Sequence, residues 1–340
     1  MIKIMKAVCY FMRKIMLINT GGTFSCKSGE HGLAPQIHES EIRAKIDCSE
    51  AELDIEQYSS LDSANIGPED WKSLAIRISE IEKSYDGVVI IHGTDTMAYT
   101  ASMLSFMLQN ISIPVVITGS QMPLGVKFSD ASDNCNLAVK VASSDICGVY
   151  VAFDRKVMLG CRVSKVRTVS FNAFESINYP LAGEVNAFGL SLNMNVCRKK
   201  TMTRLQLQSG YSDKIAVLKL FPGMRQDIFK FLHDNGYEGV YIEGFGLGGV
   251  PFEKYDITAD IKKASESGMT ILVGSQCRYE GSNLNVYETG QRILESGGIP
   301  VYDMTQEAVV TKLMWSLGQA KNREQIAWMF SKNLVGEVTI

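Results

Sequence analysis

The chain has 340 residues, of which 46% are hydrophobic and 21% charged, and its formal net charge is -3. A chain of this length can bury a full core in one or two domains. Without a basic excess to neutralise a polyphosphate, the composition disfavours nucleic acid as a partner. The high apolar content and the lack of Gly or Pro periodicity exclude disorder and fibrous repeats.

The eight cysteines are scattered along the chain and form no C-x-x-C pair, and only four histidines accompany them. The sequence therefore shows no spacing typical of metal ligands, and unpaired cysteines are typical of a reducing compartment. No apolar segment reaches the roughly 20 residues that a membrane span needs. We expect a cytoplasmic protein without a membrane partner. Met12 resembles a natural start, and residues 1–12 receive no function.

Short β-rich runs alternate with helix-like stretches along the chain. The predicted strands are Ile15–Asn19, Gly87–His92, Val115–Gly119, Gly148–Phe153, Ile215–Leu220, Gly239–Glu243 and Thr270–Gly274. The predicted helices are Pro68–Tyr85, Thr96–Asn110, Asp227–Asn235, Ile257–Ser267, Gln291–Glu295, Glu307–Gln319 and Arg323–Asn333. This alternation predicts an α/β fold with a mostly parallel sheet covered by helices.

A polar segment without a clear apolar period divides the chain at residues 191–212, which predicts a linker. We expect a larger N-terminal α/β domain at residues 14–190 that carries the functional threonines. A smaller C-terminal α/β domain is expected at residues 213–340.

Glycine and hydroxyl residues follow the first three predicted strands, at Asn19–Thr23, His92–Thr96 and Thr118–Gln121. Ligands bind beyond the carboxyl ends of parallel strands, where glycines let the backbone approach and hydroxyls can attack or donate. Helix capping explains any one of these segments equally well. The three together favour a binding or catalytic site.

A hydroxyl nucleophile needs a base, and Lys165 and Asp95 are the candidates. His92 lies within a strand end and can be purely structural. A lysine with an ordinary pKa of about 10.4 must be perturbed before it can accept a proton. Asp95 can orient Lys165 as the third member of a triad orients its base. Sequence spacing alone gives no reason for the two residues to meet.

The segment Gly244–Gly249 fits the G-x-G-x-x-G pattern of dinucleotide-binding proteins. Pro251 follows closely, and Phe252–Tyr255 shows no helix start, although a phosphate cradle needs a helix immediately after the turn. A nicotinamide-dependent oxidoreductase is therefore the weaker alternative.

Five motifs together resemble the bacterial-type L-asparaginase family, in particular its cytoplasmic (type I) branch: Thr20–Thr23, Pro68–Trp71, His92–Met97, Thr118–Gln121 and Gly160–Lys165. The resemblance covers the chain after Lys14. It implies hydrolysis of L-asparagine to L-aspartate and ammonia through an acyl-enzyme, without metal or cofactor. It also implies a homodimer or homotetramer with the active site near a subunit interface.

The resemblance further assigns roles to single residues. Thr23 corresponds to the family's nucleophile, and Thr94, Asp95 and Lys165 correspond to its second catalytic cluster. In that cluster Lys165, held by Asp95, accepts or relays a proton from Thr94. The Thr94 hydroxyl and backbone amide then help to polarise the substrate carbonyl and to position water.

The same resemblance implies the substrate-binding residues. Asp62 and Ser63 match the pair that takes the α-amino and α-carboxylate groups of the substrate, and Asp95 shares the ammonium. Thr94 and Ser120 line the amide end.

Two positions depart from the family pattern. Many relatives carry a tyrosine on the loop after the first motif, where this chain aligns Leu33. Tyr287 matches a tyrosine that some cytoplasmic relatives supply from the neighbouring subunit, which predicts an active site completed across a dimer; an ordinary interface tyrosine is the alternative. Glu243 replaces the arginine of a second, allosteric asparagine site, so we expect no cooperativity of that form.

Three other functions compete within the same fold. A glutaminase or glutaminase-asparaginase differs by one substrate methylene, worth about 1–3 kcal/mol of discrimination. A transamidosome subunit usually has an extra N-terminal domain, whereas the first strand is predicted here at Ile15. A non-catalytic amino-acid sensor would have no chemical need for Thr23, Thr94, Asp95 and Lys165 together.

Overall fold

The computed structural model describes residues 12–29, 32–35, 39–47, 49, 51–200, 202–225, 227–254 and 256–340. Residues 1–11, which received no function, lie outside the described residues. The fold is α/β, with a large mixed sheet in the N-terminal part and a small parallel sheet in the C-terminal part. No helix in the described part of the chain is both long and apolar enough to cross a membrane.

The N-terminal part contains the strands β1 (Arg13–Gly21), β2 (Cys26–Gly29), β3 (Gly32–Pro35), β4 (Ala51–Leu61), β5 (Gly87–Ile91), β6 (Leu108–Gln109), β7 (Pro114–Thr118), β8 (Gly148–Phe153), β9 (Lys156–Leu159), β10 (Val163–Lys165), β11 (Phe174–Ser176), β12 (Gly183–Asn186), β13 (Gly189–Leu192) and β14 (Gln206–Leu207). Its helices are α1 (Glu39–Arg43), α2 (Pro68–Ile81), α3 (Met97–Met107) and α4 (Ala131–Ala142).

The large sheet has the strand order β13-β12-β9-β8-β7-β5-β1-β4. Strands β4, β1, β5, β7 and β8 are parallel neighbours, and β9, β12 and β13 extend the sheet as antiparallel strands. Every residue of β5 and β7 is buried, because helices cover both faces of this region. The predicted mostly parallel sheet is confirmed, and the carboxyl ends of β1, β5 and β7 meet at one edge.

The C-terminal part contains the strands β15 (Ile215–Lys219), β16 (Gly239–Gly244), β17 (Thr270–Ser275) and β18 (Ile299–Pro300). These strands pair in this order and all in parallel. The helices are α5 (Ile228–Asp234), α6 (Ile257–Glu266), α7 (Glu288–Glu295), α8 (Gln306–Gln319) and α9 (Arg323–Phe330). The predicted smaller α/β domain is confirmed.

Each predicted strand and helix has a counterpart, but the pattern missed β4, β18, α1, α4 and several short antiparallel strands. Strand β4 lies at the edge of the large sheet and mixes polar with apolar residues, because only one of its edges is paired. After Gly244, Phe245 and Gly249 form a bridge, and α6 begins only at Ile257. The G-x-G-x-x-G segment therefore lacks the helix N-terminus of a phosphate cradle.

The two parts share an interface built on α3 and α8. The rings of Phe106 and Trp315 stack there with centroids 5.8 Å apart. Strand β13, which ends at Leu192, belongs to the large sheet. The boundaries at 14–190, 191–212 and 213–340 stay a prediction.

A buried ion pair fixes the last residues of the chain to α8. Lys312 and Glu337 are both fully buried and bonded to each other, and Lys312 also donates to the carbonyl of Lys332 at 3.1 Å. Glu337 accepts the backbone N–H of Val335 at 2.8 Å. Burial lowers the pKa of Lys312. The attachment of the C-terminal residues to α8 therefore depends on the ion pair between Lys312 and Glu337.

We predict that Glu337→Gln lowers the free energy of unfolding by about 3–5 kcal/mol, because it leaves the Lys312 ammonium buried without its partner. The double variant Lys312→Met/Glu337→Gln keeps an acceptor for Val335 and removes the charge, so it should lose less stability. Urea unfolding of both variants measures this. A double variant that is less stable than Glu337→Gln contradicts the account.

Candidate active site

Two glycines shape the turn that carries Thr23. Gly21 and Gly22 have φ angles of +111 and +74, which a residue with a side chain adopts only with strain. A Cβ atom on Gly22 would lie 2.4 Å from the Cα atom of Gly93. The end of β1 thus packs directly against the loop after β5, and this brings the Thr23 segment beside the Thr94 segment.

Asn19 holds the same turn with its side chain. Its Oδ1 accepts from the backbone N–H of Gly21 at 3.1 Å and from Ser25 Oγ at 2.9 Å, and its Nδ2 donates to Gln57 Oε1 at 2.9 Å. Thr23 begins a short 3-10 turn and is partly exposed. Its hydroxyl makes no hydrogen bond with any described residue, so it is available to a ligand.

Thr94, Asp95 and Lys165 form one hydrogen-bonded cluster. Lys165 Nζ donates to Thr94 Oγ1 at 2.8 Å and to Asp95 Oδ1 at 2.6 Å. The Lys165 side chain is 17% exposed, whereas that of Asp95 is 64% exposed. The structure brings together the residues that sequence spacing could not join. Their catalytic roles stay a prediction.

Gln121 completes the surroundings of the Thr94 hydroxyl and was missed by the sequence reasoning. Thr94 Oγ1 donates to Gln121 Oε1 at 3.4 Å. The Gln121 amide is held in place, because its Nε2 donates to the carbonyls of Thr168 and Ser170 at 3.2 and 3.1 Å. Its position directly after β7, within a strand-end motif, was the available signal.

Asp62 and Ser63 follow β4 and lie against the Thr94 loop. Asp62 Oδ1 accepts from the backbone N–H of Ala64 at 2.9 Å, which caps a short 3-10 turn. Ser63 is buried, its Oγ accepts from the Asp95 N–H at 3.3 Å, and its carbonyl accepts from Thr96 Oγ1 at 2.7 Å. The exposed carboxylates of Asp62 and Asp95 thus lie on joined loops, where an ammonium group can bind.

The other predicted residues are less engaged with the cluster. Ser120 is buried and donates its hydroxyl proton to the carbonyl of Met122 at 2.5 Å, so it can only accept from a ligand. Tyr287 lies at the N-terminal boundary of α7, is 60% exposed, and makes no hydrogen bond with the cluster within the described chain. Leu33 pairs with Ser28 in the β2–β3 hairpin, and the side chains of these two residues lie outside the described part.

A buried chain of hydrogen bonds lies beneath the Thr94 loop. Trp71 Nε1 donates to Thr100 Oγ1 at 2.8 Å, and Thr100 Oγ1 lies 2.9 Å from His92 Nε2. His92 Nδ1 lies 2.7 Å from the carbonyl of Gly93, which can only accept. Nδ1 therefore carries the proton and Nε2 accepts from Thr100. Complete burial lowers the pKa of His92 to about 4, so the ring is neutral and structural.

Comparison with known proteins identifies the family and the fold. Residues 14–198 match the family model described as "Asparaginase, N-terminal", and residues 214–330 match the "Glutaminase/Asparaginase C-terminal domain". The chain belongs to the asparaginase family. It is therefore an amidohydrolase, as the resemblance of its motifs predicted.

Full-length relatives support this membership. An L-asparaginase of Thermococcus kodakarensis is 35% identical over 338 residues, which are 96% of this chain and 99% of the relative. The structure of the thermostable L-asparaginase from that organism superposes with a TM-score of 0.90 over the same shares of both chains. L-asparaginase I of Vibrio cholerae superposes with a TM-score of 0.87 at 31% identity, again over 96% and 99%.

A second kind of relative is similar over a shorter length. One of the subunits of the glutamyl-tRNA(Gln) amidotransferase of Pyrococcus abyssi is 37% identical over 286 residues. The match covers 82% of this asparaginase-family chain and 65% of the relative.

Within the described residues, no group of three or more His, Cys, Asp or Glu side chains could hold a metal ion.

The buried neutral His92 predicts a specific pH dependence of stability. Its folded pKa of about 4 lies below the ordinary 6.5, so the unfolded state binds the extra proton between these values. The contribution of the neutral His92 ring to the free energy of unfolding is therefore present above pH 6.5 and is lost as the pH falls toward 4. Compared with a His92→Gln variant, the wild type should lose about 2 kcal/mol more unfolding free energy between pH 7.5 and 5. Urea unfolding at both pH values measures the difference, and equal losses would contradict it.

Proposed function

We propose that this enzyme hydrolyses L-asparagine to L-aspartate and ammonia through an acyl-enzyme on Thr23. The observation that carries the proposal is the contact of Lys165 with Thr94 and Asp95 beside the glycine turn of Thr23. This arrangement offers a free hydroxyl and a second hydroxyl bonded to a lysine. The 35% identity to an L-asparaginase along the whole chain supports the choice of substrate.

In the first half of the reaction, Thr23 Oγ1 attacks the side-chain amide carbon of asparagine. The Thr23 proton is transferred to the leaving nitrogen, the C–N bond breaks, and ammonia leaves behind an aspartyl ester. The negative charge that develops on the amide oxygen needs aligned donors. The backbone N–H of Thr94 is suited to this role, because no described group accepts it.

In the second half, water attacks the ester and returns the proton to Thr23. Lys165 accepts or relays a proton of the water through Thr94 Oγ1, and Asp95 Oδ1 holds the Lys165 side chain in place. The oxygen of water ends in the aspartate carboxylate, and the bonds formed and broken balance with asparagine, water and these side chains alone. No cofactor enters this scheme.

The charges of the site suit a zwitterionic amino acid. The carboxylates of Asp62 and Asp95 lie on loops joined through Ser63, and they are placed to bind the α-ammonium group. The backbone and hydroxyl of Ser63 suit the α-carboxylate. Ser120, whose own proton is occupied, can accept from the NH₂ of the amide.

Glutamine is the alternative substrate. The 37% identity to a subunit of a glutamyl-tRNA(Gln) amidotransferase supports this alternative. One extra methylene changes binding by only about 1–3 kcal/mol, so the same groups can hydrolyse both amides at different rates. A function in supplying ammonia to a tRNA-dependent amidotransferase would then follow.

We further propose that the enzyme is cytoplasmic and works as a homodimer or homotetramer. The cysteines at positions 26, 147, 161 and 197 are buried and form no disulfide with any described residue, which suits a reducing compartment. Tyr287 is exposed next to Val286, which is 53% exposed, and such neighbouring apolar groups suit a subunit contact. Tyr287 of one subunit would then complete the active site of another.

The nucleophile is tested by ammonia release from L-asparagine and L-glutamine. We predict that Thr23→Ala lowers kcat with asparagine by at least about 1,000-fold, because no other described hydroxyl beside this turn is left without a hydrogen bond. Thr20→Val is the matched control, since the Thr20 hydroxyl is bonded to the carbonyl of Ile91 at 2.8 Å and should not react.

Three outcomes decide between the functions. Loss of asparagine turnover in Thr23→Ala alone supports the proposal, and turnover with glutamine only changes the substrate. A wild type inactive on both amides contradicts the enzyme proposal and favours the sensor.

We also expect a hyperbolic asparagine saturation curve, because the buried carboxylate of Glu243 offers no cation to a second asparagine. A Hill coefficient clearly above one would contradict this.

The role of Tyr287 is tested by removing its hydroxyl alone. We predict that Tyr287→Phe lowers kcat by at least about tenfold, because the hydroxyl that would complete the active site of the neighbouring subunit is lost. Tyr237→Phe is the control, since Tyr237 packs against the C-terminal core. If Tyr287→Phe keeps the wild-type kcat and KM, the dimer-completed site is wrong.

A further inference from the structure

Lys165 lies on β10, a strand of three residues outside the large sheet. Strand β10 pairs only with β11 among the described residues, in a ladder that joins Val163 to Ser176 and Lys165 to Phe174. A two-stranded ribbon is at best marginally stable without further packing. Something besides the ladder must therefore fix the position of Lys165.

The residues before Lys165 alternate between two environments. Along an extended segment, successive side chains point to opposite faces. Lys165 faces Thr94 and Asp95, whereas Ser164 is 2% exposed and faces the C-terminal domain. Arg162, two positions before Ser164, ends the short 3-10 turn that precedes β10 and is completely buried.

Arg162 is enclosed by groups of the C-terminal domain. Its Nε donates to the carbonyl of Gly336 at 2.6 Å, Nη1 to Asp303 Oδ2 at 3.0 Å, and Nη2 to Thr339 Oγ1 at 3.0 Å. The guanidinium also stacks on the ring of Tyr179, 4.6 Å from its centroid. A rigid, planar cation with this many donors satisfied fixes the backbone that carries it.

Ser164 has its own partner close to that of Arg162. Its Oγ donates at 2.6 Å to Oε2 of Glu307, which lies in the first turn of α8. Glu307 is buried, and burial raises the pKa of its carboxyl group. Asp303 and Glu307 lie on either side of Thr305, whose side chain caps α8 by accepting from the N–H of Ala308 at 3.0 Å. One turn of the C-terminal domain thus holds both side chains.

We propose that the Asp303–Glu307 turn positions Lys165, by holding Arg162 at the end of the 3-10 turn before β10 and Ser164 on the face of β10 opposite Lys165. Asp303, Glu307, Arg162 and Ser164 are then positioning residues, and Lys165 is the catalytic residue through which they act. The C-terminal domain contributes to catalysis within one subunit in this way. The inference uses the proposed function for its kinetic readout.

The expected effect follows from the geometry. A displacement of a catalytic group by 1 Å can cost about 100-fold in rate. Ser164→Ala and Arg162→Met should therefore lower kcat for asparagine by about 10- to 100-fold. KM should change by less than about threefold, because Asp62 and Ser63 lie on another segment and still bind the substrate.

Two controls separate positioning from general destabilisation. Glu307→Gln keeps an oxygen that accepts from Ser164 Oγ and should retain most of kcat, unlike Glu307→Leu. Trp315→Phe perturbs the same domain interface at its stack with Phe106, away from β10, and should leave kcat unchanged. Circular dichroism and thermal melts show that each variant is folded. If Arg162→Met fails to fold, Ser164→Ala and Glu307→Leu carry the test.

The proposal is overturned if folded Ser164→Ala and Glu307→Leu keep the wild-type kcat, or if Trp315→Phe lowers kcat as much as they do. Crystal structures of wild type and Ser164→Ala give a readout that does not need turnover. We expect Lys165 Nζ to move from its 2.8 Å contact with Thr94 Oγ1. An unmoved lysine overturns the proposal, whereas a wild type without amidase activity overturns only the proposed function.

Discussion

Lys165 meets Thr94 and Asp95 across about seventy residues of sequence, and the candidate active site depends on this contact. The lysine comes from a short ribbon outside the large sheet, whereas the other two residues follow the buried strand β5. Two separately supported segments must therefore be held together. The C-terminal domain supplies much of that support, through the turn that contacts Arg162 and Ser164.

The large sheet fixes the positions of the candidate site residues that lie at the ends of its strands, outside the Lys165 strand. Its parallel strands end at one edge, and glycines let their loops approach until Gly22 contacts Gly93 and Gly93 contacts Ser63. A side chain at either glycine would push the loops apart. The hydroxyl of Thr23, the hydroxyl of Thr94 and the carboxylates of Asp62 and Asp95 are brought to this edge by backbone packing more than by contacts of their own.

The sequence predicted those parts of the fold that rest on local pattern. Buried parallel strands are continuous apolar runs, and so β5 and β7 were recognised, whereas the mixed edge strand β4 was not. The strand-end motifs indicated the candidate site, since the carboxyl ends of parallel strands lie at one edge of the sheet. Gln121 and the Glu307 contact to Ser164 were missed, because a hydrogen bond between distant segments leaves no periodic trace in one sequence.

The central claim, that Thr23 forms the acyl-enzyme and the Lys165 cluster acts on its hydrolysis, is tested most directly by trapping the intermediate. A Lys165→Met variant is mixed with asparagine, quenched in acid, digested, and examined by mass spectrometry. The account predicts that one aspartyl group accumulates on the peptide containing Thr23, together with a single turnover of ammonia. An adduct on the Thr94 peptide, or ammonia released without any adduct, would contradict it.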